Sequence, residues 1–288
     1  MTRRTSLLFI APGALIVLLI VAYPLGDAIW LSLTNARIGS AGKFVGLANY
    51  LSLLGNNTFW RTVSNTLTYT LIGMGVKLGL GLVMALALNR ITIGRNIVSG
   101  ILLFPWIVPT VVSTLVWKWM FNSSAIGIIN YVLLNLHLVD RPVAWLGTGG
   151  LAMASVITIS VWREIPFLGV SLLAGLQGIS REQYEASSLD GASSIQQFWH
   201  VTIPNLRGII LLISVLSAVM TAYDFTIIWA LTQGGPVGAT HLFSTFSFEQ
   251  AFNVGELAKA VAISLIAFPV IAPIVLWIAR IMERQESQ

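Results

Sequence analysis

Six stretches of this chain each exceed the ~20 mostly apolar residues that a helix needs to cross a bilayer core about 30 Å thick. They run Leu7–Leu31, Val63–Leu88, Val98–Met120, Leu151–Leu176, Gly208–Leu231 and Leu257–Ile281, separated by polar segments such as Gly55-Asn56-Asn57-Thr58 and Gly147-Thr148-Gly149-Gly150. Lipid offers the backbone no hydrogen bonds, so only helices or a closed barrel can span it. Barrel strands would alternate apolar and polar residues over segments of ~10, and that pattern is absent. The expectation is an all-α integral membrane protein with six transmembrane helices, a single transmembrane domain over 1–288.

Composition agrees and excludes alternatives. Apolar residues make up 56% of the chain and charged residues only 9%, against roughly 25% charged in soluble domains. The formal net charge of +5 comes from 16 basic and 11 acidic residues thinly spread, with no basic run to serve as a nucleic-acid footprint. Without cysteine there is no disulfide framework, thiol nucleophile or zinc-thiolate site, and His137, His200 and His241 lie far apart in sequence. Neither a catalytic residue nor a metal site is expected. The chain has no Gly-x-x-x-x-Gly-Lys-Ser/Thr loop, and its one Gly-Lys pair, Gly42-Lys43, lacks the preceding glycine. It is therefore not expected to bind ATP itself.

Arg3 and Arg4 precede the first apolar run as in a signal peptide, but the run is too long and no small-x-small site closes it. It is expected to remain as a helix. Loop arginines and lysines set orientation. With the N-terminus inside, the cytoplasmic segments hold Arg3, Arg4, Arg90, Arg95, Arg181, Arg207, Arg280 and Arg284. The outer segments hold Arg37, Lys43, Arg61, Lys118, Arg141 and Lys259. Eight against six, with the juxtamembrane pairs Arg3/Arg4 and Arg90/Arg95 on one side, favours cytoplasmic termini.

The connection Gly178–Arg207 between the fourth and fifth spans is too long for a turn. Ser180 with Gln183 is spaced as a capping box opening a short helix through Tyr184, Glu185, Ala186 and Leu189. Gly191 stands where a helix ends at positive φ. Ser193 with Gln196 opens a second helix, which Pro204 is expected to stop. There Ile195, Phe198, Trp199 and Thr202 fall at i, i+3, i+4 and i+7. Spacing alone leaves two readings open: a plug for a cleft on another protein, or a helix pair resting on the bilayer.

Glu185-Ala186-Ser187, three residues, Gly191, nine residues, then Val201-Thr202-Ile203-Pro204 resembles the EAA loop of bacterial ABC-importer permeases. That pattern is Glu-Ala-Ala, three residues, Gly, nine residues, Ile-x-Leu-Pro. The departures are Ser187 for Ala, Val201 for Ile and Ile203 for Leu. Tyr184 and Asp190-Gly191-Ala192 resemble the sugar-permease version of the loop. Phe44-Val45-Gly46-Leu47-Ala48-Asn49-Tyr50 and Leu231-Thr232-Gln233-Gly234-Gly235-Pro236 with Thr240 resemble stretches of MalF-like subunits. The large outer insert of the maltose subunit is missing, so the chain is more similar to compact glycerol-phosphate and trehalose-type permeases.

The resemblance implies a cytoplasmic coupling loop at 178–207 within a permease core at 63–281. Glu185 would pair with a basic residue of an ATP-binding subunit, Gly191 would permit the elbow, and Ile195, Phe198 and Trp199 would fill the docking groove. It further implies two ATP-binding subunits that hold ATP and Mg, a MalG-like second permease forming a heterodimer, and an extracytoplasmic solute-binding protein. The setting is the cell inner membrane and its lipid, and the solute a sugar, sugar alcohol, oligosaccharide or glycerol phosphate. The alternative is a self-contained ion-driven secondary transporter, though no internal repeat is present to support it.

Charges inside the spans are costly and face partners or watery paths. Arg163 and Glu164 lie mid-span just before Pro166, which is expected to kink the helix. Adjacent helical positions do not face each other, so a mutual salt bridge is not expected. Arg163, Glu164, Tyr223 and Asp224 are candidates for the solute path. Lys77 needs a carboxylate partner that sequence does not name. Pro105 and Pro109 bracket Trp106 and suggest an irregular third helix, Trp117 and Trp119 beside Lys118 suggest an interfacial belt, and Gly73, Gly75, Gly79 and Gly81 suggest close helix packing.

Overall fold

The computed structural model describes residues 18–283, together with Gly13 and Ile16. Arg3, Arg4, Arg284 and the start of the first expected span lie outside the described residues. Among the described residues there is no strand, only the isolated bridges Thr34–Phe44 and Arg37–Ser40. The chain divides into two compact units, Met1–Trp60 with Phe246–Pro269, and Arg61–Thr245 with Val270–Gln288.

In the first unit, a π-helical turn at Leu18–Ala22 leads into α1 (Tyr23–Ser32), and a loop leads to α2 (Ala48–Leu54). The end of α1 exposes backbone carbonyls that need donors. Asn49 supplies them, its Nδ2 donating to Ser32 O and Thr34 O at 2.7 Å each, while Tyr50 Oη lies 2.7 Å from Ser32 Oγ. The Asn-Tyr pair of the Phe44–Tyr50 stretch is thus a helix C-terminal clasp. The loop also bonds the start of the last helix, Ala258 N to Ala36 O at 3.1 Å.

The second unit is built on long helices. α3 (Asn57–Asn89) supplies most of its length, followed by α4 (Arg95–Leu102), α5 (Phe104–Ile107), α6 (Thr110–Met120) and α7 (Ile128–Asn135). Next come α8 (Gly149–Gln177), α9 (Arg181–Leu189), α10 (Ser194–Gln197), a π-helical turn at Phe198–Thr202, α11 (Ile203–Ala222) and α12 (Thr226–Leu231). α13 (Phe243–Phe248), a π turn at Glu249–Asn253 and α14 (Leu257–Glu283) complete the chain.

Small residues set the closest helix contacts. A Cβ at Gly81 would lie 3.0 Å from Leu168 Cβ, one at Gly169 would lie 2.7 Å from Met84 Sδ, and one at Gly175 would lie 2.5 Å from Ile209 Cδ1. Of the four glycines of α3, Gly81 alone is pressed against a neighbour; Gly75 and Gly79 meet nothing within 4 Å. Leucines and isoleucines fill the remaining space. Leu168, Leu172, Leu173, Leu206 and Ile213 bury one cluster, and Val156, Ile159, Ile227, Ile228 and Leu242 surround buried Tyr69 in another.

Among the described residues, three helices are long and apolar enough to cross a membrane: Asn57–Asn89, Gly149–Gln177 and the continuous run Ser194–Ala222. The first two cover the second and fourth expected spans, and the third covers the fifth as far as Ala222. The sixth falls within α14. The third differs from expectation, because Arg95–Ile107 and Thr110–Met120 meet at 84°. Val108 is extended (ψ 134°) and Pro109 withholds a backbone donor where the second piece begins. Trp106 is held against α8 by stacking on Phe167 with centroids 5.4 Å apart. The fifth span also breaks, since Tyr223–Phe225 interrupts the helix before α12. α8, by contrast, continues as helix through Pro166.

Candidate functional site

The loop between α8 and α11 forms two short helices about a glycine. Ser180 begins α9 in extended conformation (ψ 142°), but its hydroxyl makes no cap. The expected Ser180–Gln183 box does not form, because Gln183 Oε1 instead accepts from Asn205 Nδ2 at 2.8 Å. Gly191 ends the helix at φ +80°, as expected of glycine in the left-handed region. The second box does form: Ser193 Oγ accepts from Gln196 N, and Gln196 Oε1 accepts from Ser193 N at 2.8 Å.

Pro204 does not stop this second helix. The π turn at Phe198–Thr202 widens the spiral just ahead of it, and Pro204 enters the first turn of α11. The expected stripe therefore divides. Thr202 is buried against Tyr184, their hydroxyls 2.9 Å apart, while Phe198 is half-buried and packs edge-on against Trp199 at 5.1 Å. Ile195 and Trp199, one turn apart, stay exposed, and so does Leu189, which is 90% accessible. Gln197 Nε2 ties the helices together, donating to Ser187 Oγ (3.1 Å) and Ser188 Oγ (2.8 Å). Glu185, Ala186, Asp190 and Gly191 are exposed, and Val201 and Ile203 are half-buried. The result is a braced elbow that turns three large apolar side chains outward.

A second polar cluster lies among α3, α8 and α11. Lys77 Nζ sits 3.0 Å from Glu164 Oε2 and donates to Thr221 Oγ1 at 2.8 Å; the lysine side chain is fully buried and that of Glu164 is 14% exposed. Ser217 Oγ also donates to Glu164, at 3.3 Å. Glu164 thus answers the sequence question about Lys77. Arg163 takes no part, and its buried Nε has no hydrogen-bond partner.

Asp224 sits in the break before α12. It accepts from Tyr69 Oη at 2.8 Å and from Ile227 N at 3.2 Å, closing the first turn of that helix. Tyr223 beside it is 43% exposed. Of the four candidate path residues, then, Glu164 and Asp224 are bound to other parts of the chain, while Tyr223 is open. Trp117 stacks on Phe121 and meets Trp162 edge-on at 5.6 Å, so it is a packing residue, whereas Trp119 is exposed. Sequence reasoning missed Tyr69 and Thr221, whose partners lie far along the chain.

The Leu231–Pro236 stretch is held by its own motif and by α3. Thr240 Oγ1 lies 2.7 Å from Thr232 Oγ1 and donates to Gly235 O at 2.9 Å. Asn65 Nδ2 donates to Gly238 O, and Arg61 Nη1 donates to Val237 O, each at 2.9 Å.

The chain belongs to the family of binding-protein-dependent transport system inner membrane components, whose model matches residues 77–287. It is 36% identical to the trehalose/maltose transport system permease protein MalF of Thermococcus litoralis, over 92% of this chain and 89% of that one. It is 31% identical to the inner membrane ABC transporter permease protein YcjO of Escherichia coli K12 (94% and 92% covered). Identity is 28% to the sulfoquinovosyl glycerol transport system permease protein SmoG of Agrobacterium fabrum (92% and 86% covered). Its fold matches a chain of a bacterial ABC transporter that imports the acidic polysaccharide alginate, with a TM-score of 0.81, 21% identity and coverage of 98% and 96%. The ion-driven alternative falls with this membership: the chain is a permease component of a binding-protein-dependent system.

Proposed function

We propose that this chain is one of two permease subunits of an ATP-driven importer for a sugar or sugar-like solute, coupled to ATP hydrolysis through the elbow at 178–207. Relatives named for trehalose/maltose and for sulfoquinovosyl glycerol support the solute class. The observation that carries the coupling is the braced elbow itself. A loop that only rested on lipid would not need a capping box, a left-handed glycine and a glutamine strut to hold Leu189, Ile195 and Trp199 outward.

In this reading the chain crosses the inner membrane six times, with both termini and the elbow cytoplasmic. Ile195, Phe198 and Trp199 seat in a groove of an ATP-binding subunit and Glu185 meets a basic residue there, while Ala186, Ser187, Asp190, Gly191, Val201, Ile203 and Pro204 maintain the elbow. ATP and Mg stay on two such subunits. A MalG-like partner supplies the other half of the path, to which this chain contributes from the region of Arg163, Glu164, Tyr223 and Asp224. An extracytoplasmic binding protein delivers solute, in line with the alginate transporter solved with a pentasaccharide-bound periplasmic protein.

The chain's lack of cysteine makes the test direct. A single cysteine replacing exposed Ser194, carrying a photo-crosslinker, should capture an ATP-binding protein in cells expressing the whole system. Labelling of that cysteine from outside the cell would overturn the orientation.

A further inference from the structure

The bend in the third span leaves a short amphipathic helix without a protein partner on one face. If Thr110–Met120 runs across the bilayer, the 84° bend lays Arg95–Ile107 close to the membrane plane. Along it Ile97 and Ile101 lie one turn apart and share one side of the helix, and Ile93 stands in the bend just before it. Ile93 is 91% accessible, and Ile97 and Ile101 are also exposed. The adjoining flank carries Val98, which packs into the leucine cluster of α8 and α11. A helix apolar on its exposed face and charged at its end suits the boundary between headgroups and acyl chains.

Beside it opens a cleft of ≈ 690 Å³ that reaches from this helix to α9. Its apolar wall is Ile91, Leu176 and Ile179, and its polar wall includes Arg95, Arg181 and Glu185. The two arginines come from separate elements, and neither has an ion-pair or hydrogen-bond partner among the described residues. Two guanidinium groups against one carboxylate leave the cleft net positive, and guanidinium geometry suits phosphate oxygens. An apolar wall next to unpaired arginines favours a phosphate that carries hydrocarbon over a free one.

We propose that this cleft binds the headgroup of an anionic phospholipid of the inner leaflet, its phosphate held by Arg95 and Arg181 and its acyl chains lying along Ile97 and Ile101. The proposal rests on the cytoplasmic placement of the elbow argued above. Because Tyr184 and Glu185 of α9 also line the cleft, an occupied site braces the elbow from its membrane side. Lipid charge would then tune how firmly the elbow engages its ATP-binding partner.

The test uses the intact importer, purified with its ATP-binding subunits and compared with R95Q and R181Q. Assemblies are placed in discs of phosphatidylcholine alone or with about one third phosphatidylglycerol, and retained lipid is counted by native mass spectrometry. Each substitution should weaken phosphatidylglycerol retention about fivefold, leave phosphatidylcholine unchanged, and keep the ATP-binding subunits in the complex. Equal retention by wild type and variants would overturn the site. Inorganic phosphate that displaces the lipid and reproduces its effect on ATP turnover would assign the arginines to a free anion instead. Loss of the ATP-binding subunits from R95Q, with lipid retention unaltered, would assign Arg95 to a protein contact. A wild-type chain that retains the lipid yet carries no ATP-binding subunit would sink the importer reading rather than the lipid site.

Discussion

Lys77 Nζ lies 3.0 Å from Glu164 Oε2, joining α3 to α8 across 87 positions of sequence, with Thr221 of α11 as a third member at 2.8 Å. A lone lysine buried among apolar helices would be expelled or neutralised, so the pair exists only because three helices converge on it. Lys77→Met should therefore be destabilising by about 3–5 kcal/mol, because it strands Glu164, while the double variant Lys77→Met/Glu164→Leu should recover most of that loss. Thermal denaturation of the detergent-solubilised protein reads both. A double variant no better than the single would mean that the two side chains do not act as a pair.

Asp224 is placed by Tyr69 and by the first turn of α12. Asp224→Asn keeps the shape but removes one acceptor from this arrangement, at a cost of about 1–3 kcal/mol. If the residue also belongs to the solute path, uptake kinetics of the cognate solute should change beyond what Tyr69→Phe produces through the same broken bond. Identical kinetics in the two variants would leave Asp224 a structural role alone.

The glycines of α3 look alike in sequence but not in place. Gly81 faces Leu168 Cβ and the Gly169 backbone, whereas Gly79 meets nothing within 4 Å. Gly81→Val should cost about 1–3 kcal/mol through overpacking, and Gly79→Val should stay within about 0.5 kcal/mol. Melting temperatures of the two variants decide this, and equal values would count against the close approach of α3 and α8.

What sequence disclosed and what it concealed follow the range of the forces involved. α3 and α8 were legible because ~20 apolar residues in a row need no information from elsewhere. Gly191 was legible because left-handed backbone is a property of one residue. Ser180 and Gln183 carried a valid local signal that lost to Asn205, which is remote in sequence. Pro204 looked like a stop because a regular helix cannot hold it internally, and the π turn that admits it leaves no mark in composition. Pro105 and Pro109 announced an irregular third helix, but the 84° angle also needs Trp106 held on Phe167. Lys77 was visible as a problem, and its solution lay on α8 and α11, 87 and 144 positions further along the chain.

Glu185 is exposed on α9 and makes no ion pair within the described chain. Glu185→Lys should then leave membrane insertion intact and stability within about 0.5 kcal/mol, yet abolish solute uptake by placing the wrong charge against the ATP-binding subunit. Uptake assayed beside membrane-fraction blots separates the two effects. Wild-type uptake in this variant would remove Glu185 from the coupling surface.

Gly191 offers the sharpest test of the elbow, because its two possible roles respond differently to the same substitutions. Its φ is +80°, and a side chain there would meet no atom within 4 Å. Any cost of substitution is therefore backbone strain rather than a clash. A β-branched residue in left-handed geometry costs about 1–2 kcal/mol, while asparagine visits that region with little penalty. Gly191→Val should thus shift the elbow and reduce co-purification of the ATP-binding subunit, and Gly191→Asn should largely preserve it. If both variants lose the partner equally, the glycine is needed for close approach by the docked subunit and not for its backbone angle. If both retain it, the elbow does not depend on this residue.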